Sequence, residues 1–286
     1  MRRPPTASDH TTTALTILAS AIGISMQHSS SPTAAIPFHH AIDRQFASNS
    51  AGLPPLLVLL HGSGDDEYGL LDVGRILAPA CGGAVILSLR GPKPRGPGFC
   101  WFEGTSASPA ADAEASIDWA ADQVQHLLQH VPTELGTDPV RAYLFGHSQG
   151  ASVAWAVALS KWPRPDLLFG MACNSGRLFP GLAQPSRASD AADVQDSIQV
   201  GQASSSASVL SQRVAAADAL AQRHVLSAHG RADMITPVVH GQQNADFCRA
   251  LGVANTYHEH DEGHNDLRQP LAHVLQHFAA IAQRGV

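Results

Sequence analysis

The stretch Leu144-Phe-Gly-His-Ser-Gln-Gly-Ala-Ser152 places one serine between two glycines, directly after one apolar run and directly before another. The run before it, residues 140–145, predicts a strand, and residues 149–160 predict a helix. A serine on so sharp a strand-to-helix turn projects above the end of the strand, and bulky neighbours would collide with the bend. The pattern Gly146-His-Ser-Gln-Gly150 therefore indicates a nucleophile elbow. A glycine-bordered helix N-cap fits the same five residues, so the rest of the sequence has to decide.

Predicted strands and helices alternate along the whole chain. Apolar runs predict buried strands over residues 55–60, 84–89, 140–145, 167–173 and 223–228, with shorter strands near 38–44 and 256–259. Helical spacing of apolar residues predicts helices over 67–78, 112–131, 149–160, 238–251 and 267–283. This alternation predicts an α/β fold of one domain, with a mostly parallel central sheet and helices on both faces. In such folds the functional residues lie at the carboxyl ends of the strands.

Two segments lie outside this pattern. Residues 1–35 are interpreted as a disordered or processed leader, in which the apolar stretch 14–24 resembles a short signal peptide and Met26 is an alternative start. Residues 36–286 are predicted to form the folded domain. Within it, a Ser-, Ala- and Gln-rich insertion at about 180–208 has too few large apolar residues to hold a fixed shape. A surface loop and a lid are both compatible with this composition.

The composition excludes several classes of partner. The chain has 286 residues, is 44% hydrophobic and 15% charged, and carries a formal net charge of −6, without a basic cluster. Nucleic acid is therefore not an expected partner, and the apolar stretches are too short for stable membrane insertion. A homodimer is compatible with the sequence. Four well-separated cysteines favour free thiols and a cytoplasmic protein, with secretion or periplasmic export as the alternative if residues 1–25 act as a signal peptide.

A serine becomes a useful nucleophile only when a histidine removes its proton and a carboxylate orients that histidine. In this architecture the three residues follow in the order serine, acid, histidine, each just beyond a strand. Ser148 is followed by Asp233, in the loop after the strand that ends near Ala228, and then by His264. A helix cap is the alternative role for Asp233.

Other histidines compete with His264 for the role of base. His258 and His260 alternate with Glu259 in a predicted strand, so their side chains should point into the faces of the sheet. No set of carboxylates or cysteines at ligand spacing accompanies them. The sequence therefore predicts His264 as the base, with neither a metal ion nor a cofactor.

Acyl transfer also needs donors for a developing oxyanion. The backbone N–H of Gln149 opens the helix after the elbow and points toward the reacting group. The loop after Leu60 supplies the second donor, for which we predict the N–H of Ser63, with Gly64 as the alternative. A tight turn that caps the next helix is compatible with the same loop.

Six motifs together resemble the phospholipase/carboxylesterase family of α/β-hydrolases, which includes acyl-protein thioesterases and small bacterial carboxylesterases. The motifs are Leu60-His-Gly-Ser-Gly-Asp-Asp-Glu67, Gly98-Phe-Cys-Trp-Phe-Glu103, Gly146-His-Ser-Gln-Gly150, Ser175-Gly-Arg-Leu178, His229-Gly-Arg-Ala-Asp233 and Glu262-Gly-His264. The resemblance implies a nucleophile at Ser148, an acid at Asp233 and a base at His264. It further implies that Trp101 and Phe102 line the acyl pocket, with a packed core pair as the alternative.

The expected activity is that of a serine hydrolase, which cleaves carboxylic esters or thioesters of small molecules through an acyl-enzyme. A related hydrolase acting on a peptide or lactone is the first alternative, and a non-catalytic relative that keeps the elbow as a scaffold is the second. The long segment between Leu178 and Arg223 departs from the family pattern, and so does the leader.

Overall fold

The computed structural model of the protein describes residues 32–33, 35–46, 52–105, 108–159, 168–179, 225–250 and 252–284. Nearly all of the predicted leader, residues 1–35, lies outside the described residues. The predicted insertion at about 180–208 lies outside them entirely. The division into a leader and a domain of residues 36–286 therefore stays a prediction.

The described residues form nine strands and five α-helices. The strands are β1 (His40–Phe46), β2 (Leu56–Leu60), β3 (Gly83–Leu89), β4 (Lys93–Arg95), β5 (Gly98–Cys100), β6 (Ala142–His147), β7 (Leu168–Asn174), β8 (Val225–Gly230) and β9 (Asn255–His260). The helices are α1 (Leu71–Leu77), α2 (Ala113–Leu135), α3 (Gln149–Leu159), α4 (Val239–Ala250) and α5 (Arg268–Arg284), and a short 3₁₀ turn spans Ala78–Cys81.

Seven of the strands form one sheet in the order β1-β3-β2-β6-β7-β8-β9. Strand β1 runs antiparallel to β3, and every other neighbouring pair in this sheet is parallel. The predicted mostly parallel sheet in an α/β fold is confirmed. Each strand that was predicted from an apolar run is present, with its ends shifted by a few residues.

The sheet separates two apolar clusters, as the continuous apolar runs in the central strands require. Every residue of β2 and β3 is buried. Leu56, Val58 and Leu60 belong to the cluster that holds α2 and α3. Leu57 and Leu59 alternate with them and belong to the cluster that holds α1 and α5. Helices therefore cover both faces of the sheet.

Three local features differ from the sequence-based prediction. Helix α1 begins at Leu71 instead of residue 67. Helix α2 continues through Pro132 to Leu135 instead of ending at Val131, and the N–H of Gly136, with φ 67°, donates to the carbonyl of Pro132. The hairpin of β4 and β5 was not predicted. Its strands have three residues each and contain proline and glycine, so they carry no apolar periodicity.

The strand register brings together the loops that carry the predicted site residues. Leu60 pairs with Gly146, His147 with Asn174, and Gly230 with His260, all at the carboxyl ends of their strands. The loops that follow β2, β6, β8 and β9 therefore begin at the same edge of the sheet.

Candidate active site

Ser148 occupies the turn between β6 and α3 with a φ of 55°, in the left-handed region that L-residues rarely adopt. The flanking glycines make this turn possible. A Cβ atom at Gly146 would lie 2.6 Å from the carbonyl oxygen of Gly150, and a Cβ at Gly150 would overlap the carbonyl oxygen of Leu60. Both positions therefore exclude any larger residue, as the elbow pattern predicts.

The structure brings Ser148, His264 and Asp233 into one chain of hydrogen bonds. The Nε2 atom of His264 lies 2.8 Å from the Ser148 Oγ, and its Nδ1 lies 2.7 Å from Asp233 Oδ2. Because an ionised carboxylate only accepts hydrogen bonds, Nδ1 carries the ring proton and Nε2 is left to accept from the serine hydroxyl. All three residues are buried.

The other carboxylate oxygen of Asp233 accepts hydrogen bonds from the backbone of the loop that follows it. Oδ1 accepts hydrogen bonds from the backbone N–H groups of Ile235 at 2.9 Å and Thr236 at 2.7 Å. Helix α4 begins only at Val239, so the loop between the two separates Asp233 from that helix. The carboxylate is thus fixed by its own turn, and the alternative role of a helix cap does not apply.

Hydrogen-bond donors surround Asp233 and keep it ionised. Burial alone would raise the pKa of this carboxyl, but His229, His264 and the N–H of Thr236 outweigh burial and hold the pKa well below its usual range. His229 was missed in the sequence. Its Nε2 donates to the carbonyl of Thr236 at 2.7 Å and lies 3.5 Å from Asp233 Oδ2. The signal for it was its place at the start of the motif that contains Asp233.

A second histidine borders the same site. The ring of His147 is centred 5.2 Å from the ring of His264, and the amide nitrogen of Asn174 donates to its Nδ1 at 3.2 Å. Burial first, and the nearby His264 second, lower the pKa of His147 to about 3, against the opposing effects of Asp233 and a hydrogen bond with Asn265. His147 is therefore a neutral neighbour of His264.

Ser63 and Gln149, the two predicted oxyanion donors, both line the cavity at Ser148. The alternative donor, Gly64, is already engaged, because its N–H donates to the carbonyl of Phe99 at 2.7 Å. The geometry favours Ser63 over Gly64 for this role.

Trp101 and Phe102 are not among the residues that line this cavity. Both side chains are fully buried. The backbone N–H of Trp101 donates to Gln149 Oε1 at 3.0 Å, and Gln149 Nε2 donates to the carbonyl of Phe102 at 3.0 Å. The pair thus lies behind Gln149 and outside this cavity, and its role in lining an acyl pocket stays a prediction.

The competing histidines in β9, His258 and His260, do not line the cavity at Ser148. His258 stacks on His273 with ring centres 4.0 Å apart. His260 is buried, and neither of its ring nitrogens has a hydrogen-bond partner among the described residues. In the described part of the chain no group of three or more His, Cys, Asp or Glu side chains is arranged to hold a metal ion.

The cavity around Ser148 has a volume of about 190 Å³. Its lining consists of Gly62, Ser63, Asp65, Thr105, His147, Ser148, Gln149, Ile235, His264 and Asn265. Most of these residues are polar. They come from the loops that follow β2, β5, β8 and β9 and from the turn where β6 ends and α3 begins.

The sheet order, the elbow and the buried Ser-His-Asp chain define an α/β-hydrolase fold. The family model for phospholipases and carboxylesterases matches residues 47–198, which is more than half of the chain. The protein belongs to this phospholipase/carboxylesterase family, an esterase- and thioesterase-type family of hydrolases.

Solved structures of this fold are similar over most of the chain. A carboxylesterase from Bacillus cereus matches with a TM-score of 0.61 and 18% identity, over 85% of this chain and 94% of that chain. A carboxylesterase from Mesorhizobium loti matches with a TM-score of 0.61 and 19% identity, over 88% and 97%. An acyl-protein thioesterase 2 from Zea mays matches with a TM-score of 0.59 and 18% identity, over 86% and 99%.

One curated relative shares detectable sequence similarity. It is an uncharacterized hydrolase from Mycosarcoma maydis, 28% identical over 120 residues. The match covers 40% of this chain and 46% of the relative, so it spans about half the length of that protein.

None of the helices in the described part of the chain has the length and apolar character that a membrane span requires.

Proposed function

We propose that the protein is a serine hydrolase that cleaves carboxylic ester or thioester bonds through an acyl-enzyme. Ser148 is the nucleophile, His264 the general base and Asp233 the acid that orients and stabilises the histidine. The unbroken hydrogen-bond chain from Ser148 Oγ through His264 to Asp233 carries this proposal. Membership of an esterase-type family supports it.

The same atoms account for each proton in the reaction. His264 Nε2 takes the hydroxyl proton as Ser148 Oγ attacks the carbonyl carbon, and Asp233 stabilises the imidazolium that forms. The backbone N–H groups of Ser63 and Gln149 stabilise the negative charge on the former carbonyl oxygen. His264 then gives its proton to the leaving alcohol or thiol. Water repeats the sequence on the acyl group and releases the free acid.

The cavity supports a short acyl group as the preferred substrate. Its volume of about 190 Å³ lies below the range of roughly 300–1,000 Å³ that is usual for pockets holding drug-sized ligands. Ile235 is the one large aliphatic side chain in its lining, which is otherwise rich in hydroxyl, amide and carboxylate groups. A long aliphatic chain would leave this small cavity or desolvate its polar groups without compensation.

A chain-length series tests both the activity and this preference. We expect the purified protein to hydrolyse p-nitrophenyl acetate and butyrate, with kcat/KM falling by about tenfold or more from butyrate to palmitate. Butyryl-CoA measured beside them separates thioester from ester preference. A preference for palmitate would contradict the short-acyl proposal. No turnover of any ester or thioester would contradict the proposed function and favour one of the alternatives, a hydrolase of a peptide or lactone or a non-catalytic relative.

The pH profile should show one ionisation. His264 has to be neutral to accept the serine proton, so kcat/KM should rise with pH along one acid limb and then level off. Asp233 stays ionised along this limb because its pKa is held low, and His147 stays neutral because its pKa is lowered to about 3. The acid limb of log kcat/KM should therefore have a slope of about one. A slope of two would show that a second group titrates with the base.

We also propose a cytoplasmic location. The four cysteines are all free and buried, which suits a reducing compartment. A homodimer remains a prediction from the sequence alone.

A further inference from the structure

The indole of Trp101 is hydrogen-bonded to the loop that carries Ser63. Its Nε1–H donates to the carbonyl oxygen of His61 at 2.9 Å, and the N–H of Gly150 in α3 donates to the same oxygen at 3.1 Å. A carbonyl oxygen has two lone pairs, and both are used here. The peptide after His61 is therefore held from two directions, once by the elbow helix and once by Trp101.

The imidazole of His61 extends this restraint to the next peptide. Its Nε2 accepts the N–H of Gly91 at 2.8 Å, so the ring proton is on Nδ1, which donates to the carbonyl of Gly62 at 2.6 Å. In a trans peptide the N–H of Ser63 points opposite to the carbonyl of Gly62. Holding that carbonyl thus sets the direction of the Ser63 N–H. The Trp101 ring packs against the imidazole with ring centres 5.5 Å apart.

Trp101 is also hydrogen-bonded to Gln149, the residue that supplies the other oxyanion donor. Its backbone N–H donates to Gln149 Oε1 at 3.0 Å, and Gln149 Nε2 returns a hydrogen bond to the carbonyl of Phe102 at 3.0 Å. One buried residue therefore contacts both segments that provide the oxyanion donors. Its side chain is fully buried and is not part of the lining of the cavity at Ser148.

We propose that Trp101 is a positioning residue for the oxyanion hole, which aligns the N–H of Ser63 through the backbone and ring of His61. The proposal rests on the proposed function, because Trp101 has this role only if the N–H groups of Ser63 and Gln149 bind an oxyanion. Without the indole N–H, the carbonyl of His61 keeps its bond to Gly150 and loses its second restraint. Loss of this hydrogen bond should therefore weaken stabilisation of the transition state and leave the binding of substrate in the ground state unchanged.

Trp101→Phe tests this role, because it removes the donor and keeps an aromatic ring. We expect kcat/KM for p-nitrophenyl butyrate to fall roughly 10- to 100-fold, mainly in kcat, since small misplacements of catalytic donors have effects of this size. The affinity for a trifluoromethyl ketone, whose serine adduct carries an oxyanion, should fall by the same factor. The affinity for butyrate, the product, should change by less than about twofold.

Trp155→Phe is the matched control. Trp155 is a buried tryptophan in α3 whose indole N–H has no hydrogen-bond partner among the described residues. Its replacement removes the same atoms from the core and should leave kcat/KM within about threefold of wild type. If Trp101→Phe matches this control in activity, the proposal is wrong. Parallel losses of ketone and butyrate affinity would also overturn it, because they indicate general damage to the site.

A second variant covers the case in which Trp101→Phe fails to fold. Incorporation of β-(3-benzothienyl)alanine at position 101 keeps the shape of the indole and replaces its N–H with sulfur. The same selective loss of ketone affinity is expected. Ser148→Ala, assayed beside these proteins, keeps the two proposals distinct. If Ser148→Ala remained active, the proposed function would fail, whereas an inactive Ser148→Ala with an unaffected position 101 would refute only the role of Trp101.

Discussion

Ser148→Ala is expected to lower kcat by about 10⁴- to 10⁶-fold while the fold stays intact, because removing one member of the proposed catalytic triad should disable the unit. The change removes only the Oγ that lies 2.8 Å from His264 Nε2, and alanine faces the same backbone conformation as serine. Initial rates with p-nitrophenyl butyrate give kcat, and a thermal melt reports the fold. If the variant kept more than about a tenth of wild-type turnover, Ser148 would not be the nucleophile.

Ser175→Ala provides a close control for that substitution. Ser175 is a buried serine directly after β7, and it has the same φ of 55° as Ser148. Its Oγ has no hydrogen-bond partner among the described residues, so it makes no hydrogen bond to His264. Activity within about threefold of wild type is expected for this variant. The comparison separates loss of the proposed nucleophile from loss of a buried hydroxyl at a strained turn.

Asp233→Asn is expected to lower kcat by about 10³- to 10⁴-fold, somewhat less than the serine variant. An asparagine amide facing His264 Nδ1 would donate to it, so the ring proton would move to Nε2 and the histidine could no longer accept from Ser148. Steady-state kinetics at the pH optimum measure the effect.

The matched control is Asp261→Asn. Asp261 is an exposed carboxylate at the same edge of the sheet, paired with Arg231 at 2.7 Å. Loss of its charge should leave kcat nearly unchanged, since exposed ion pairs contribute little. A loss of less than about tenfold in Asp233→Asn would remove Asp233 from the proposed mechanism.

The sequence was sufficient to predict the elbow and the loops that lie beside it. Gly146 and Gly150 fit the strand-to-helix turn because only glycine has room there, a steric rule that acts locally and is therefore visible in five residues. Asp233 and His264 were found because parallel strands bring their carboxyl ends to one edge, so chain order predicts which loops meet. The structure places both residues within hydrogen-bond distance of the predicted partners.

The supporting contacts could not be predicted in the same way. The indole of Trp101 donates a hydrogen bond to the backbone carbonyl of a residue 40 positions away. Every residue has a backbone carbonyl, so the sequence does not indicate which one accepts this hydrogen bond. The tautomers of His61 and His147 depend on donors from Gly91 and Asn174, which are brought near only by the folded sheet. The β4–β5 hairpin, which presents Trp101, is too short to show a periodic pattern.

Labelling with a fluorophosphonate, followed by peptide mass spectrometry, tests the central proposal most directly, because this reagent phosphonylates an activated serine. The proposed mechanism predicts that one phosphonyl group is attached to Ser148, that activity disappears in proportion to labelling, and that Ser148→Ala takes up no label. Attachment to another residue, or full labelling of Ser148 with activity retained, would contradict it.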